Sequence, residues 1–122
     1  DCAGEKGEIL CQMKSLLDTI LSFETEEHAF HDVLDRQETF TESETAAMTA
    51  YTIYRGIREG ILDGDYAVRA ERIRDALITR VSAEGVVRQA AGSPDFIRAG
   101  SSVECQAHFL MMEHYRNCLA EG

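Results

Sequence analysis

The chain has 122 residues, enough for one modest domain, and residues 1–122 are expected to fold as a single unit. Its hydrophobic fraction of 44% is that of an ordinary globular protein and argues against a disordered chain. The formal net charge of −10 argues against nucleic acids and anionic membranes as partners, because both are negatively charged. No apolar run approaches the roughly 20 residues that a membrane span needs.

Four amphipathic helices are predicted along the chain. In each of them the apolar residues recur three or four positions apart, which places them on one helical face. The last helix carries such a face at Val103, Ala107, Leu110, Met111, His114 and Cys118. Most of the Met and Tyr residues in these stripes are expected in the core, namely Met48, Tyr51, Tyr54, Met111 and Met112. In chain order the predicted helices occupy 8–24, 41–60, 68–81 and 101–120.

Two short segments between the helices are predicted to be extended. They are 29–35, with Phe30, Val33 and Leu34, and 85–87. The order helix, extended piece, capped helix therefore occurs twice, which indicates a repeat of helical hairpins that bury their faces by stacking. The sequence predicts an all-α fold of stacked helical hairpins. Because two such units rarely suffice, we expect part of a larger toroid, or a dimer or covalent staples.

Capping boxes are predicted at the start of the second and the fourth helix. Thr41 with Glu44, and Ser101 with Glu104, both fit the S/T-x-x-E pattern. Glu42 and Glu44 gather two carboxylates at one helix start, where they can serve as caps or as an acid/base pair. Capping is the preferred interpretation for Glu44, and the role of Glu42 stays open.

Three segments carry a resemblance to a known enzyme family. They are "FHDVLDR", "ESETAAMTAYTIYRGIREGIL" and "AGSSVECQAHFLMMEHY", which together cover nearly the whole chain. In this order they resemble the C-terminal region of the unsaturated glucuronyl and rhamnogalacturonyl hydrolases of glycoside hydrolase families 88 and 105. The resemblance implies part of an (α/α)6 toroid, corresponding to about the last third of such an enzyme. It also implies that the catalytic Asp lies in the parts of the barrel that these segments do not cover, so no catalytic residue is assigned here.

The same resemblance implies candidate sugar contacts. Asp35 and Arg36 end the "VLDR" motif in a loop close to the family's sugar site, although an ion pair or Asx-turn that fixes the loop is the preferred interpretation. Further candidates lie at helix starts that would form the rim of a cleft, namely Glu42, Ser43, Ser101, Ser102 and Glu104.

No metal or cofactor is expected. His28 and His31 form an H-x-x-H pattern next to an extended segment, where a separation of three places them on opposite faces. Cys105 and His108 form only half of a zinc site.

The cysteines Cys2, Cys11, Cys105 and Cys118 are disulfide candidates. Cys105 and Cys118 would lie roughly 20 Å apart on one helix and cannot pair with each other. Any bridge is therefore expected to join a cysteine of the last helix to the N-terminal segment.

Two functional hypotheses follow. The first is the C-terminal part of an unsaturated uronyl hydrolase that acts on pectin-derived oligosaccharides and is not catalytic alone; its partner would be an N-terminal hydrolase chain. The second is a secreted, disulfide-bonded, non-catalytic binding protein derived from that scaffold, for which carbohydrate is a candidate ligand. The even cysteine count favours an extracellular location. A homo-oligomer that covers the open toroid edges is a further alternative.

Overall fold

The computed structural model describes residues 2–92 and 96–122, and within these ranges the chain is helical and has no strand. One 3-10 turn, Gly64–Tyr66, precedes the third helix. None of the helices in these ranges is long and apolar enough to cross a membrane. The α-helices are α1 (Gly4–Ser22), α2 (Ser43–Arg58), α3 (Ala67–Ile78) and α4 (Val103–Glu121).

The described chain contains two consecutive units of helix, long connection and helix, α1 with α2 and α3 with α4. The connection in each unit is closed by isolated antiparallel bridges rather than by strands. The predicted all-α fold and its repeat are confirmed, whereas the predicted extended pieces amount to single bridged residues. The bridges join His31 to Thr41 in the first connection, and Val81 to Val87 and Ala90 to Gly100 in the second.

Helix α2 lies at the centre and packs against both α3 and α4. At the start of α2, Glu44 contacts His108 of α4, and further along the rings of Tyr51 and Tyr115 lie 5.5 Å apart. The two helices therefore run parallel to each other.

Helix α3 lies antiparallel to α4 and is fastened by charged hydrogen bonds. Arg116 Nε donates to Glu71 Oε1 at 2.9 Å, and Arg74 Nη2 donates to Glu113 Oε2 at 2.8 Å. The hydroxyl of buried Tyr54 donates to the same Glu71 oxygen at 2.7 Å. Glu71 therefore connects three helices.

The core lies between α2, α3 and α4 and is completed by residues of both connections. Phe30 and Val87 come from the connections, and α1 contributes Leu17 and Leu21. Because α1 buries so few residues, most of its surface remains exposed. The helical core residues include Ile53, Tyr54, Ile73, Leu77, Cys105, Phe109 and Met112.

Both predicted capping boxes are displaced by one residue. The N-cap of α2 is Glu42 rather than Thr41, and the N-cap of α4 is Ser102 rather than Ser101. Because each helix begins one residue later than predicted, Glu44 and Glu104 are the second helical residues. A capping box needs its Glu at the third helical residue, so neither can act as the capping-box partner.

The other helix ends also differ from the predicted ones. Helix α2 ends at Arg58, because Gly60 adopts a positive φ of 69° and Ile61 N–H bonds back to Gly56 O at 2.8 Å. Helix α3 ends at Ile78, and Val81, which was predicted to be helical, pairs with Val87 instead.

Several apolar residues that were predicted to be buried are exposed. Met48 keeps 45% and Met111 39% of its surface accessible. Helix α4 buries Cys105, Phe109 and Met112, and it turns most of the apolar face recognised in the sequence towards solvent. Tyr54 and Met112 are core residues as predicted, and Tyr51 is half-buried.

The cysteine prediction was wrong in its pairing. Cys2 and Cys11 form a disulfide across the first turns of α1, with Cα atoms 5.9 Å apart. Cys105 and Cys118 are free thiols, and burial raises the pKa of the Cys105 thiol to about 12. The expected link between α4 and the N-terminal segment does not form, because the two N-terminal cysteines reach each other locally.

Candidate functional site

The N-terminal ends of α2 and α4 lie side by side and bring three of the sequence-predicted residues together. Ala91, in the connection before α4, donates its N–H to Glu42 Oε1 at 3.0 Å. The neighbouring Gly92 is packed so closely on Ser102 that an added Cβ would lie 3.0 Å from the serine Cβ. Glu42, Ser43 and Ser102 therefore belong to one junction.

Glu42 is a buried helix cap. Its side chain is only 4% exposed, and Oε1 accepts from the N–H groups of Glu44 (2.9 Å) and Ala91. The second oxygen, Oε2, accepts from the N–H of Thr45 at 2.7 Å and from its hydroxyl at 3.1 Å. Four donors thus satisfy the carboxylate, which explains how it tolerates burial.

Ser43 is fully buried and ties α2 to the second connection. Its hydroxyl donates to Arg88 O at 2.5 Å, and its N–H donates to Gln89 O at 2.8 Å. Arg80 completes this contact by donating to Thr41 Oγ1 at 2.7 Å and to Ser43 Oγ at 3.3 Å. Burial lowers the pKa of the Arg80 guanidinium.

The last two rim candidates have different surroundings. Ser102 Oγ accepts from the N–H of Cys105 at 3.0 Å and so caps α4. Glu104 is exposed in the first turn of α4, where a carboxylate complements the helix dipole.

A carboxylate–imidazole pair crosses the junction between α2 and α4. Glu44 Oε1 lies 3.0 Å from Nδ1 of His108, and both side chains are partly exposed. Burial and the nearby Glu42 raise the pKa of Glu44, while His108 acts in the opposite direction. Sequence reasoning missed this pair, because the two residues are 64 positions apart and each had been assigned a local role.

A polar surface cavity of about 590 Å³ lies beside the first connection. It contains Asp35, one of the predicted sugar contacts, together with His31 and the ring of Phe23. Nδ1 of His31 donates to Thr39 O at 2.8 Å, so its other ring nitrogen is left as a hydrogen-bond acceptor. The remaining lining residues are Ser22, Glu24, Thr25, Glu26, Glu27, Leu34 and Gln37.

The cavity is rich in acceptors and has an aromatic wall, which suits a ligand that carries many hydroxyl donors. Arg36 is exposed and pairs with Glu38 at 3.5 Å, whereas the preferred interpretation of the sequence was an Asp35–Arg36 pair or an Asx-turn. Its backbone closes the loop, since its N–H bonds to Val33 O at 2.8 Å.

The histidines are engaged in contacts other than metal ligation. His28 Nδ1 lies 2.7 Å from Glu24 Oε1, and Arg69 donates to the other oxygen of that carboxylate at 3.1 Å through Nε. In the described parts of the chain, no group of three or more His, Cys, Asp or Glu residues could hold a metal ion.

A family model matches most of this chain. The model describes Glycosyl Hydrolase Family 88 and aligns with residues 4–107, which include the junction and the cavity. Among curated proteins none matches the chain.

Solved structures of similar shape cover nearly all of the chain. A possible member of the GH105 family from Salmonella enterica serovar Paratyphi A superimposes with a TM-score of 0.78 at 23% identity, over 91% of this chain and 32% of that protein. A possible GH105 member from Klebsiella pneumoniae gives 0.80 at 19% identity, over 95% and 34%. A glycosyl hydrolase of family 88 from Bacteroides vulgatus gives 0.76 at 20% identity, over 93% and 37%. The chain therefore spans about a third of the length of these proteins and shares their helical toroid fold.

Proposed function

Because the chain belongs to Glycosyl Hydrolase Family 88, we propose that it forms the C-terminal part of an unsaturated uronyl hydrolase of the rhamnogalacturonyl type. The family match over residues 4–107 carries this proposal. The substrate would be a pectin-derived oligosaccharide that ends in an unsaturated uronic acid, and the reaction would hydrate the C4–C5 double bond of that sugar.

The 122 residues are not catalytic on their own in this proposal. The resemblance assigns the catalytic Asp to the earlier parts of the barrel, and the described residues contribute a supporting wall. The partner is therefore the remaining two thirds of the toroid, supplied by an N-terminal hydrolase chain or segment. The junction of α2 and α4 supports this role, because Glu42 and Ser43 are fully engaged in fixing helix ends.

The cavity beside the first connection is the part of this chain that would meet the sugar. Its acceptors, His31 and Asp35, can bind sugar hydroxyls, and the ring of Phe23 offers a stacking surface. Arg36 is the nearest cation along the loop and would approach the sugar carboxylate after leaving Glu38.

The first test is native mass spectrometry of the protein purified under non-reducing conditions, followed by an activity assay of whatever assembly is found. We expect a larger hydrolase portion to accompany the chain and the assembly to remove the ultraviolet absorbance of an unsaturated rhamnogalacturonyl disaccharide. An assembly that leaves this absorbance unchanged would contradict the proposal.

Variants then locate the sugar contacts. We expect D35N and R36Q to raise the KM of the assembly, because each removes a charged group at the sugar. E8Q is the matched control, since Glu8 is an exposed carboxylate of α1 outside the cavity lining. An unchanged KM in both D35N and R36Q would mean that the loop is only structural.

The second candidate function is a secreted, non-catalytic binding protein, which the Cys2–Cys11 disulfide favours. In this case the chain would be self-sufficient and would bind carbohydrate without converting it. An intact mass two hydrogens below that of the reduced chain, with sugar binding and no activity in any assembly, would support it. A fully reduced chain in the secreted material would count against it.

A further inference from the structure

The carboxylate of Glu24 in the cavity wall is held by a residue of α3. Glu24 lines the polar cavity beside the first connection, and its side chain is only 8% exposed. Nε of Arg69 donates to Glu24 Oε2 at 3.1 Å, and Nη2 of Arg69 donates to the same oxygen. Nη2 also donates to Leu21 O at 2.8 Å. Arg69 therefore fastens the C-terminal end of α1 and the residues that follow it to the second unit of the chain.

The other oxygen of Glu24 holds the turn that continues the cavity wall. Nδ1 of His28 lies 2.7 Å from Glu24 Oε1, and His28 has a positive φ of 60°, which is uncommon for a residue other than Gly. The turn is closed by the N–H of His28, which donates to Thr25 O at 3.0 Å. Glu26 and Glu27 belong to this turn, and both are exposed and line the cavity. The position of this part of the wall therefore depends on the contacts of Glu24.

The pair of Arg69 and Glu24 also affects the charge of the cavity wall. Three further carboxylates line the cavity, namely Glu26, Glu27 and Asp35, and its described lining contains no Lys or Arg. Each of these charges repels a sugar carboxylate, and an unpaired Glu24 would add to the repulsion. Arg69 prevents this by pairing with Glu24, although Arg69 is not itself a lining residue.

We propose that Arg69 is a positioning residue of the sugar site, which allows the cavity to admit an acidic sugar by neutralising Glu24 and by holding the turn that ends at His28. Under the proposed function, on which this inference rests, the cavity is the part of the chain that meets the uronic acid. Arg69 acts through Glu24 and does not contact the sugar, whereas Arg36 approaches the sugar carboxylate. Helix α3 contributes no residue to the lining and still influences which sugars the cavity accepts.

Three variants test the electrostatic part, each assayed as the KM and kcat of the assembly with the unsaturated rhamnogalacturonyl disaccharide. R69Q leaves the Glu24 carboxylate without its cation, so KM should rise about tenfold with little change in kcat. E24Q is nearly isosteric and releases the charge of Arg69 while its bond to Leu21 O remains, so KM should fall by about threefold or more. Both charges are absent in the double variant E24Q/R69Q, and its KM should return to within about threefold of the wild-type value.

The opposite signs of these effects distinguish charge balance from structural damage. If the pair only supports the fold, R69Q and E24Q should both raise KM, and that result would overturn the proposal. A KM of R69Q within about twofold of the wild-type value would overturn it as well. R72Q is the matched control, because Arg72 is an exposed cation one turn along α3 and lies outside the cavity lining, so its KM should stay unchanged.

Hydrogen exchange of the same assemblies tests the positioning part without the sugar. The amide of His28 donates within the turn, so we expect it to exchange at least about tenfold faster in R69Q than in the wild type or in R72Q. Equal exchange rates would overturn the positioning role whatever the activity. A wild-type assembly that leaves the disaccharide unchanged would contradict the proposed function instead, and faster exchange in R69Q would then still show that Arg69 holds the turn.

Discussion

Replacing Glu42 by Gln should destabilise the protein strongly, although the change is nearly isosteric. The two carboxylate oxygens accept four hydrogen bonds, two on each oxygen, at a side chain that is 4% exposed. The Gln amide replaces one of these oxygens with an NH2 group, which is itself a donor. The two groups that donated to that oxygen then have no acceptor in front of them, so at least one buried N–H loses its partner. A buried unsatisfied group costs about 1–3 kcal/mol, so we expect a loss of about 2–4 kcal/mol in the free energy of unfolding.

Replacing Glu42 by Asp separates capping from the contact between the two helices. Asp is a good N-cap and retains bonds to the first turn of α2, but its shorter side chain does not also reach Ala91 N–H. The expected loss is about half that of E42Q, or roughly 1–2 kcal/mol. E104Q, at the exposed first turn of α4, is the control and should change stability by less than about 0.5 kcal/mol.

Urea unfolding followed by circular dichroism measures all three variants. A fall in the midpoint with an unchanged slope reports a loss of stability alone. If E42Q changes the free energy of unfolding by less than about 0.5 kcal/mol, the four hydrogen bonds do not hold the junction and the capping role is refuted. Glu42 would then be available as a sugar contact.

Three further predictions concern other parts of the chain. G56A should destabilise the protein by about 1–3 kcal/mol in thermal unfolding, because the new Cβ would lie 2.6 Å from Leu62 Cδ1; unchanged stability would show that Leu62 moves freely. Hydrogen bonds from Arg and Tyr overcome the effect of burial and lower the pKa of Glu71 below 4.5, so its contribution to stability is present above that pH and is lost on acidification. E71Q should reduce the loss of stability at acidic pH, measured as the free energy of unfolding against pH. An unaltered pH dependence would contradict the assignment of this loss to Glu71. In a thiol titration Cys118 should react first, and Cys105 only on unfolding, because Cys105 is fully buried.

The helices and their repeat could be predicted because they depend on local patterns. Apolar spacing located all four helices. The caps were misplaced by one residue because Thr41 and Ser101 satisfy the local pattern equally well. The choice of Glu42 depends on Ala91, which lies 49 residues away and which no local rule includes.

The buried side of α4 could not be predicted from its periodicity. The helix carries apolar residues on two faces, so spacing alone does not decide which one meets the core. Contacts with α2 selected Cys105, Phe109 and Met112, and Leu110 was left exposed. The apolar spacing that predicted this face is present in the helix, but most of the face is exposed.

The polar groups of the junction and of the cavity differ in what they can still bind. Glu42 already accepts four hydrogen bonds, whereas Asp35 and His31 line the cavity beside the first connection. Under the proposed function this chain therefore supplies acceptors for sugar hydroxyls, and Arg36 is the cation that the loop beside the cavity carries. A uronic acid also brings a carboxylate, which an acceptor-rich wall repels unless cations balance it. Arg69 already pairs with Glu24 of the cavity wall, so under the proposed function the balance would come from Arg36 and from the rest of the barrel. A sugar that lacks the carboxylate should bind the cavity without these added cations.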